Sequence, residues 1–414
     1  MKIIIVGAGA AGLMAAYELV RKGAEVVLLE SLDRIGGRIH TLTPEGFSNQ
    51  VEAGAEFIHG NLPLTLRLMK KAKLAYTPTK GEMYDAKNGR LQSGFGQSKL
   101  WEAFYKSMSE LKKDCTVLEL LQSEFSAAKY SKLREEVSDQ AQGLDLAEIS
   151  KLSVFGIREE WANEEIEFRP DAGYHNFLQW LLNETVSNAF QLKLNETVKS
   201  IHWSAQNVTV KTQNNQWTAN AVLLTLPPVS YDKNAITFRP EITTELSLFQ
   251  NIGFGEVIKI LLEFEYPFWE KEYPDLGFLF AEAGFTFWTQ LPKRSPVMTA
   301  WLGNDYASDY GSLSDAELCE MAVKKLQKTL KTDLRTLYRS GVVFRHTRNS
   351  HSGGGYSWPT LSGPKAIKTL QKSIQNTIWF AGEALFIGKG TATVEAALQS
   401  GKKAAASILS VRDK

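Results

Sequence analysis

Three glycines, Gly7, Gly9 and Gly12, stand in the order G-x-G-x-x-G with Ala10 and Ala11 between the last two, and an acid, Glu30, follows 18 residues after the third. That spacing suits the holding of a pyrophosphate. A glycine at position 7 permits a tight turn, one at 9 lets backbone approach an anion, and one at 12 lets a helix pack close to a sheet. The free N–H groups at the helix start, around Ala10 and Ala11, favour negative charge. Glu30 falls where a carboxylate accepts hydrogen bonds from a ribose. Arg34 and the run Gly36-Gly37-Arg38 come next. Paired glycines let backbone reach a bulky ligand, and planar guanidinium groups suit phosphate. Far along the chain, Lys259 interrupts the apolar run Val257-Ile258-Lys259-Ile260-Leu261-Leu262. An ammonium there needs a partner or must lose its proton.

The elements that position these groups are legible from the spacing. Residues 2–6 form an apolar, β-branched strand, 13–19 a helix closed by Gly23, and 25–29 a second strand, which together make a βαβ unit. From 61 to about 169 the pattern is helical and amphipathic. Helices are expected near Leu62, Leu66, Met69 and Lys70, then over 98–111, 118–125 and 130–137. Glu159, Glu160, Glu164, Glu165 and Glu167 form an acidic run; a charge run is ordinarily a solvated face, and the other reading is a contact with ammonium groups. A helix over 176–182 follows, then strands over 192–195, 198–203, 207–211 and 216–226. Val257, Lys259 and Leu261 share one face of a strand. Residues 312–330 make a helix with a Ser-x-x-Glu start.

The composite Glu30-x-x-x-Arg34-x-Gly36-Gly37-Arg38 behind a βαβ unit resembles the opening of the FAD-containing amine oxidases: monoamine oxidases, polyamine oxidases and flavin-dependent histone demethylases. A nicotinamide enzyme would not need the Gly-Gly-Arg. The resemblance runs from Lys2 to about Ile408 and is dense at 3–60, 171–228, 250–269 and 353–405. Gly54-Ala55-Glu56-Phe57-Ile58-His59-Gly60 is similar to a polyamine-oxidase segment that runs past the flavin, with Phe57 in a tryptophan's place. It implies that Gly54, Ala55, Glu56 and Phe57 lie along the cofactor and that His59 faces the substrate cavity. Gly253-x-Gly255-x-x-x-Lys259, followed by Pro267-Phe268-Trp269, resembles the family's active-site lysine segment, so Lys259 is expected to position a water at flavin N5. In the segment beginning at His351, Gly355 stands where monoamine oxidases carry a flavin-linked cysteine. FAD is therefore expected to be held non-covalently, and Tyr356 to align the amine. Phe380-Ala381-Gly382-Glu383 matches a strand whose acid contacts the cofactor. The helix begun after Gly390 brings Thr393 and Val394 to the flavin, with Thr393 where monoamine oxidases have a second tyrosine. Val198, by the same resemblance, offers its backbone to the adenine. These departures lie nearer the polyamine-oxidase and demethylase branches.

The resemblance implies an α/β fold: a Rossmann-type FAD-binding domain, glutathione-reductase-like and discontinuous over 1–60, 171–235 and 342–414. A mixed α+β substrate domain is inserted over 61–170 and 236–341. The implied reaction is oxidation of a small-molecule amine. Hydride passes from the carbon beside the unprotonated nitrogen to flavin N5, the imine hydrolyses, and O2, as acceptor, becomes H2O2. Two alternatives stay open: oxidation of a C–C bond, as in protoporphyrinogen oxidases and carotenoid desaturases, and a catalytically silent FAD-bound interaction module. Lys259 in its motif argues against the first.

Composition bounds the rest. The 414 residues are 43% hydrophobic and 22% charged, ordinary for a soluble globular chain. With 47 basic and 46 acidic residues the net charge is +1, which gives no reason to expect nucleic acid or an anionic membrane. Two cysteines, Cys115 and Cys319, are too few for a disulfide framework or a structural zinc site, and the six histidines form no metal-spaced cluster. No run of roughly 18 uninterrupted apolar residues is present. The glycines break any signal-peptide core at the N-terminus, so that segment is expected to be retained and the protein cytoplasmic.

Overall fold

The structure, a computed structural model, describes residues 1–87, 90–93, 98–162, 166–232, 236–347 and 352–412. Glu164, Glu165 and His351 lie outside the described residues.

The first strand, β1 (Lys2–Val6), buries its last four residues because Ile, Ile, Ile and Val face packed layers on both sides. Helix α1 (Ala10–Arg21) returns the chain to β2 (Glu25–Leu29), parallel to β1 with Ile4 opposite Val27. Three distant strands complete a parallel sheet: β3 (Phe190–Lys193), β4 (Ala221–Leu224) and β5 (Ile378–Phe380). The order β3-β2-β1-β4-β5 is that of a doubly wound nucleotide-binding sheet. On one face Ile3 and Ile5 pack with Leu13, Met14 and Tyr17 of α1. On the other, Ile4 and Val6 pack with Val208, Val210 and Phe238 of a four-stranded sheet.

Three further helices brace this sheet: α2 (Pro63–Ala72), α3 (Tyr174–Asn183) and α4 (Val394–Arg412). A Cβ on Gly401 of α4 would stand 2.1 Å from Ala11 O, so only glycine allows α4 to lie this close to α1. Glu395, 2% exposed, accepts from Leu64 N–H at 3.0 Å and Thr65 N–H at 2.6 Å. The C-terminal helix thus supplies the carboxylate that caps α2, near the other end of the chain.

The second half is built on a seven-stranded sheet. Its order is Tyr338–His346, Val257–Phe264, Val297–Gly303, Thr286–Trp288, Leu276–Phe280, Glu82–Lys87 and Arg90–Ser93. Helices Lys99–Glu110, Val117–Glu124, Ser131–Gly143 and Val154–Ala162 pack around Trp101, Phe104, Val117 and Leu133. Ser98 caps the first, Thr116 and Glu119 form a capping box on the second, and Ser314 with Glu317 does so for Asp315–Leu330.

Two expectations are corrected. Residues 76–87 and 90–93 are not helical: Tyr76–Pro78, Glu82–Lys87 and Arg90–Ser93 are strands. Glu82–Lys87 joins the large sheet parallel to Leu276–Phe280, a pairing remote in sequence that overrides local propensity. The expected strand over 216–226 is two. Gln216–Ala219, half exposed, pairs antiparallel with Asn207–Lys211, and Ala221–Leu224, wholly buried, joins the cofactor sheet.

The strand Val257–Phe264 links the halves. Its alternate residues Leu261, Glu263 and Lys259 all meet the segment 47–56. Leu261 packs with Phe47 and Val51, Glu263 accepts from Ser48 N–H at 3.2 Å, and Lys259 donates to Gly54 O at 3.2 Å.

Candidate active site

The glycine cradle separates into two kinds of position. A Cβ on Gly12 would lie 1.9 Å from Gly7 O, and one on Gly7 2.6 Å from Thr225 Oγ1. These glycines close the helix–sheet packing. By contrast, a Cβ on Gly9 would meet only Gly36 O at 3.9 Å, on Gly37 only Gly9 Cα at 3.8 Å, and on Gly382 nothing within 4 Å. Gly9, at the start of α1, makes no side-chain cap, and no acid occupies the first turn where Ala10 and Ala11 stand. Bare backbone and uncapped N–H donors beside open space fit a pyrophosphate and the length of a dinucleotide. Glu30, 6% exposed, ends β2 and accepts from Ala8 N–H at 2.8 Å and Leu32 N–H at 3.0 Å, which fixes its carboxylate at the cradle. Val198 is buried in one core cluster with Leu29 and Ile201, leaving only its backbone to serve a ligand.

Arg34 and Arg38 make different contacts. Arg34 donates to Ile35 O, Ile39 O and Gly37 O, which holds the Gly36-Gly37 turn. Those carbonyls converge because Gly36 and Gly37 take φ of +108° and +57°. Arg38 donates to Glu383 Oε1 at 2.9 Å and Gly355 O at 2.8 Å, and lies over the Phe254 ring at 5.4 Å. Glu383 also accepts from Ser357 Oγ at 2.7 Å. Thr393 caps α4, its Oγ1 accepting from Ala396 N–H at 3.3 Å, and Val394 is buried behind it. A capping threonine in that position accounts locally for the missing second tyrosine.

Lys259, 1% exposed, has a partner that strand periodicity could not reveal. Its Nζ lies 2.8 Å from Glu56 Oε2, with the Trp288 ring 5.4 Å away. The Glu56 carboxylate also accepts from Arg169 Nε at 3.0 Å and Trp288 Nε1 at 3.1 Å. Its side chain therefore serves protein cations and the Trp288 indole. Burial works to raise the Glu56 pKa, but Lys259 and Arg169 outweigh it and hold the group below the ordinary carboxylate value. Next to it the 53–55 backbone is pinned. Ala55 N–H donates to Arg38 O at 3.1 Å, Ala53 O accepts from His346 Nε2 at 2.8 Å, and Gly54 packs so tightly that a Cβ would sit 1.8 Å from Arg38 O. Burial lowers His346 to about 4, so it is neutral at pH 7.

An aromatic wall rises from this centre. Phe57 stands 6.0 Å from Trp288, Trp288 5.6 Å from Trp301, and Trp301 stacks on Tyr356 at 6.4 Å and 21°. Arg169 lies 4.6 Å over Phe57. The Tyr356 hydroxyl donates to Leu144 O, and burial pushes its pKa well up, with Asp145 and Glu160 adding to the shift. His59, with 52% of its side chain exposed, pairs with Glu167 at 2.7 Å. Burial lowers its pKa, but the Glu167 carboxylate more than reverses that and leaves it raised, with Glu160 adding a little. Glu159 and Glu160 are exposed, as a solvated face requires, yet Glu160 is near enough to His59, Asp145 and Tyr356 to bias each. Trp301, Trp288, Arg169 and Asp145 were not foreseen; each reaches the site only through long-range strand and helix packing. Among the described residues no group of three or more His, Cys, Asp or Glu side chains could hold a metal, and no helix is long and apolar enough to cross a membrane.

A doubly wound dinucleotide sheet joined to a large mixed sheet through a buried lysine defines a flavoprotein oxidoreductase architecture. The chain belongs to the flavin-containing amine oxidoreductase family, whose pattern matches residues 10–163 and 88–409, and FAD is its cofactor. It is 27% identical over 420 residues to human lysine-specific histone demethylase 2, covering 92% of this chain and 50% of that protein. It is 24% identical over 419 residues to rice (Oryza sativa subsp. japonica) polyamine oxidase 4, covering 92% and 83%. The chain thus spans about half the length of the demethylases it matches. Among solved structures, cyclohexylamine oxidase from Brevibacterium oxydans IH-35A superposes with a TM-score of 0.83 at 18% identity, over 100% of this chain and 99% of that one. Putrescine oxidase bound to putrescine gives 0.82 at 19%, over 99% of each. At these identities the two structures establish the fold alone.

Proposed function

We propose that this chain is an FAD-dependent amine oxidase acting on CH–NH or CH–NH2 groups, with O2 as acceptor and H2O2 as product. Bound FAD supplies the two-electron acceptor for hydride leaving the carbon next to the amine nitrogen, and the imine then hydrolyses. The cofactor would be held non-covalently by Gly9, Gly37, Gly382, the first turn of α1, Glu30, the Gly54-Ala55 backbone and Val198, with Arg38 and Glu383 closing the two ends of the chain over it. In this reading the division into a cofactor part (1–60, 171–235 and 342–414) and a substrate part (61–170 and 236–341) places the chemistry along their seam. The protein is taken as cytoplasmic, in keeping with its two unpaired cysteines.

The observation that carries the reading is the juxtaposition of the buried Lys259–Glu56–Arg169 group with the aromatic wall of Phe57, Trp288, Trp301 and Tyr356. The rings would orient an amine and keep water from it, and Lys259 would position a water and hold positive charge at the reacting face. Glu160 and Glu167, near Tyr356 and His59, favour a substrate that carries more than one ammonium group, a diamine or polyamine over a simple aromatic monoamine. His59 borders the cavity and would titrate with it. The test is anaerobic: amines, polyamines and amino acids are mixed with the FAD-loaded protein and bleaching of the flavin is recorded. Bleaching by diamines or polyamines supports the reading, and absence of bleaching by the whole panel overturns it.

A further inference from the structure

We propose that Glu56 is a positioning residue: one buried carboxylate that holds Lys259 as an ammonium against the Gly54 backbone and, through Arg169, ties it to the aromatic wall. The inference rests on the role given to Lys259 above.

The geometry leaves Glu56 alone in this duty. Among the described contacts Lys259 bonds to Glu56 Oε2 at 2.8 Å and to the neutral Gly54 O at 3.2 Å. A buried ammonium with only a neutral acceptor is poorly compensated. The other titratable groups facing the pair are Glu52, Glu167 and His346. Glu52 is committed to other donors, accepting from Tyr174 N–H at 3.0 Å and Thr41 Oγ1 at 2.9 Å. Glu167 is committed to His59 at 2.7 Å, and His346 to Ala53 O at 2.8 Å. The remaining face of Glu56 takes the Trp288 indole N–H and Arg169.

Arg169 extends the device. It is fixed by Leu291 O and Thr289 O as well as by Glu56, and it lies over Phe57. Lys259 and the Phe57 ring therefore share one anchor. Two cations and one carboxylate leave a single net positive charge buried where a reduced flavin would be anionic.

The test uses flavin reoxidation, which needs no amine: FAD-loaded protein is photoreduced without oxygen, then mixed with aerated buffer from pH 6 to 10. Two electrons and one proton of the anionic reduced flavin pass to O2, and a second proton from solvent completes H2O2. Glu56→Gln is expected to move the midpoint of the rate–pH profile downward by a unit or more. Glu56→Asp should shift it partway in the same direction. Lys259→Met should lie slow and flat at every pH. A Glu56→Gln profile superposing on wild type, with Lys259→Met slow, overturns the role of Glu56 while sparing that of Lys259. A Lys259→Met profile equal to wild type overturns both. Should Glu56→Gln fail to fold, Glu56→Asp decides: a wild-type profile there overturns the proposal.

Discussion

Arg38 Nη1 stands 2.9 Å from Glu383 Oε1, although 345 residues separate them in sequence. The pair closes the cofactor half, because the same Arg38 nitrogen also donates to Gly355 O. Gly355 cannot form a thioether, so acid precipitation should leave intact FAD in the supernatant; flavin pelleting with the polypeptide would refute a non-covalent site. Glu383→Gln removes a charge-assisted bond of about 1.5–3 kcal/mol, and FAD retention under dilution should fall with it.

The two classes of glycine predict opposite phenotypes. Gly12→Ala forces a Cβ to 1.9 Å from Gly7 O and should abolish folding of apo and loaded protein alike. Gly9→Ala meets no contact nearer than 3.9 Å, so the apo-protein should lose less than about 1 kcal/mol. FAD binding by fluorescence quenching should nonetheless weaken tenfold or more. Equal loss of stability in both variants would show that Gly9 is structural.

Lys259→Met and Glu56→Ala should differ in stability despite removing the same ion pair. The first leaves Glu56 with Arg169 and Trp288, and methionine fills the space left by the lysine stem. The second strands two cations, which for a buried pair costs about 3–5 kcal/mol. Urea denaturation of the apo-proteins measures the difference. With a turned-over amine, Lys259→Met should slow flavin reduction or reoxidation on the order of 10²-fold, typical of one positioned electrostatic group.

The His59–Glu167 pair should appear in the pH dependence. His59 is raised, so its contribution is complete below the unfolded value of about 6.5 and is lost as pH rises through the folded one. Glu167 is lowered, so its contribution is lost as pH falls through its own folded value. With 52% of the His59 side chain exposed, the stabilising term is below about 1 kcal/mol. The sharper measurement is NMR titration of the His59 ring: Glu167→Gln should bring its midpoint down, and an unmoved midpoint would mean the pair does not form in solution.

What the sequence made legible was what short-range geometry dictates. The βαβ unit could be read because Gly7, Gly9 and Gly12 answer to neighbours a few residues away. The Ser-x-x-Glu start at Ser314 could be read because it answers to a donor, Glu317 N–H, three residues ahead. Lys259 could be marked as needing a partner, but Glu56 lies 203 residues earlier and no local period points to it. The strands within 76–93 were hidden for the same reason: their alternation is weak, and Glu82–Lys87 is a strand because Leu276–Phe280 lies alongside it. The carbonyl partners of Arg34 are not legible in the sequence, because guanidinium chemistry suits carbonyl oxygens as well as phosphate and only the fold of the Gly36-Gly37 turn brings those carbonyls to it.

The strand order of the cofactor sheet bears on how the protein is made. β1 and β2 are made within thirty residues of one another, but β1 pairs on its other edge with β4 at 221–224, and β4 awaits β5 at 378–380. The helix that braces α1 and caps α2 is later still, at Val394–Arg412. During synthesis the nascent cofactor sheet therefore holds an open edge for most of the chain's length, a state prone to mispairing. Parallel pairings this remote also close slowly. Shortening the chain before 394 should accordingly yield an aggregating product, even though the dinucleotide fingerprint would be complete from its earliest residues.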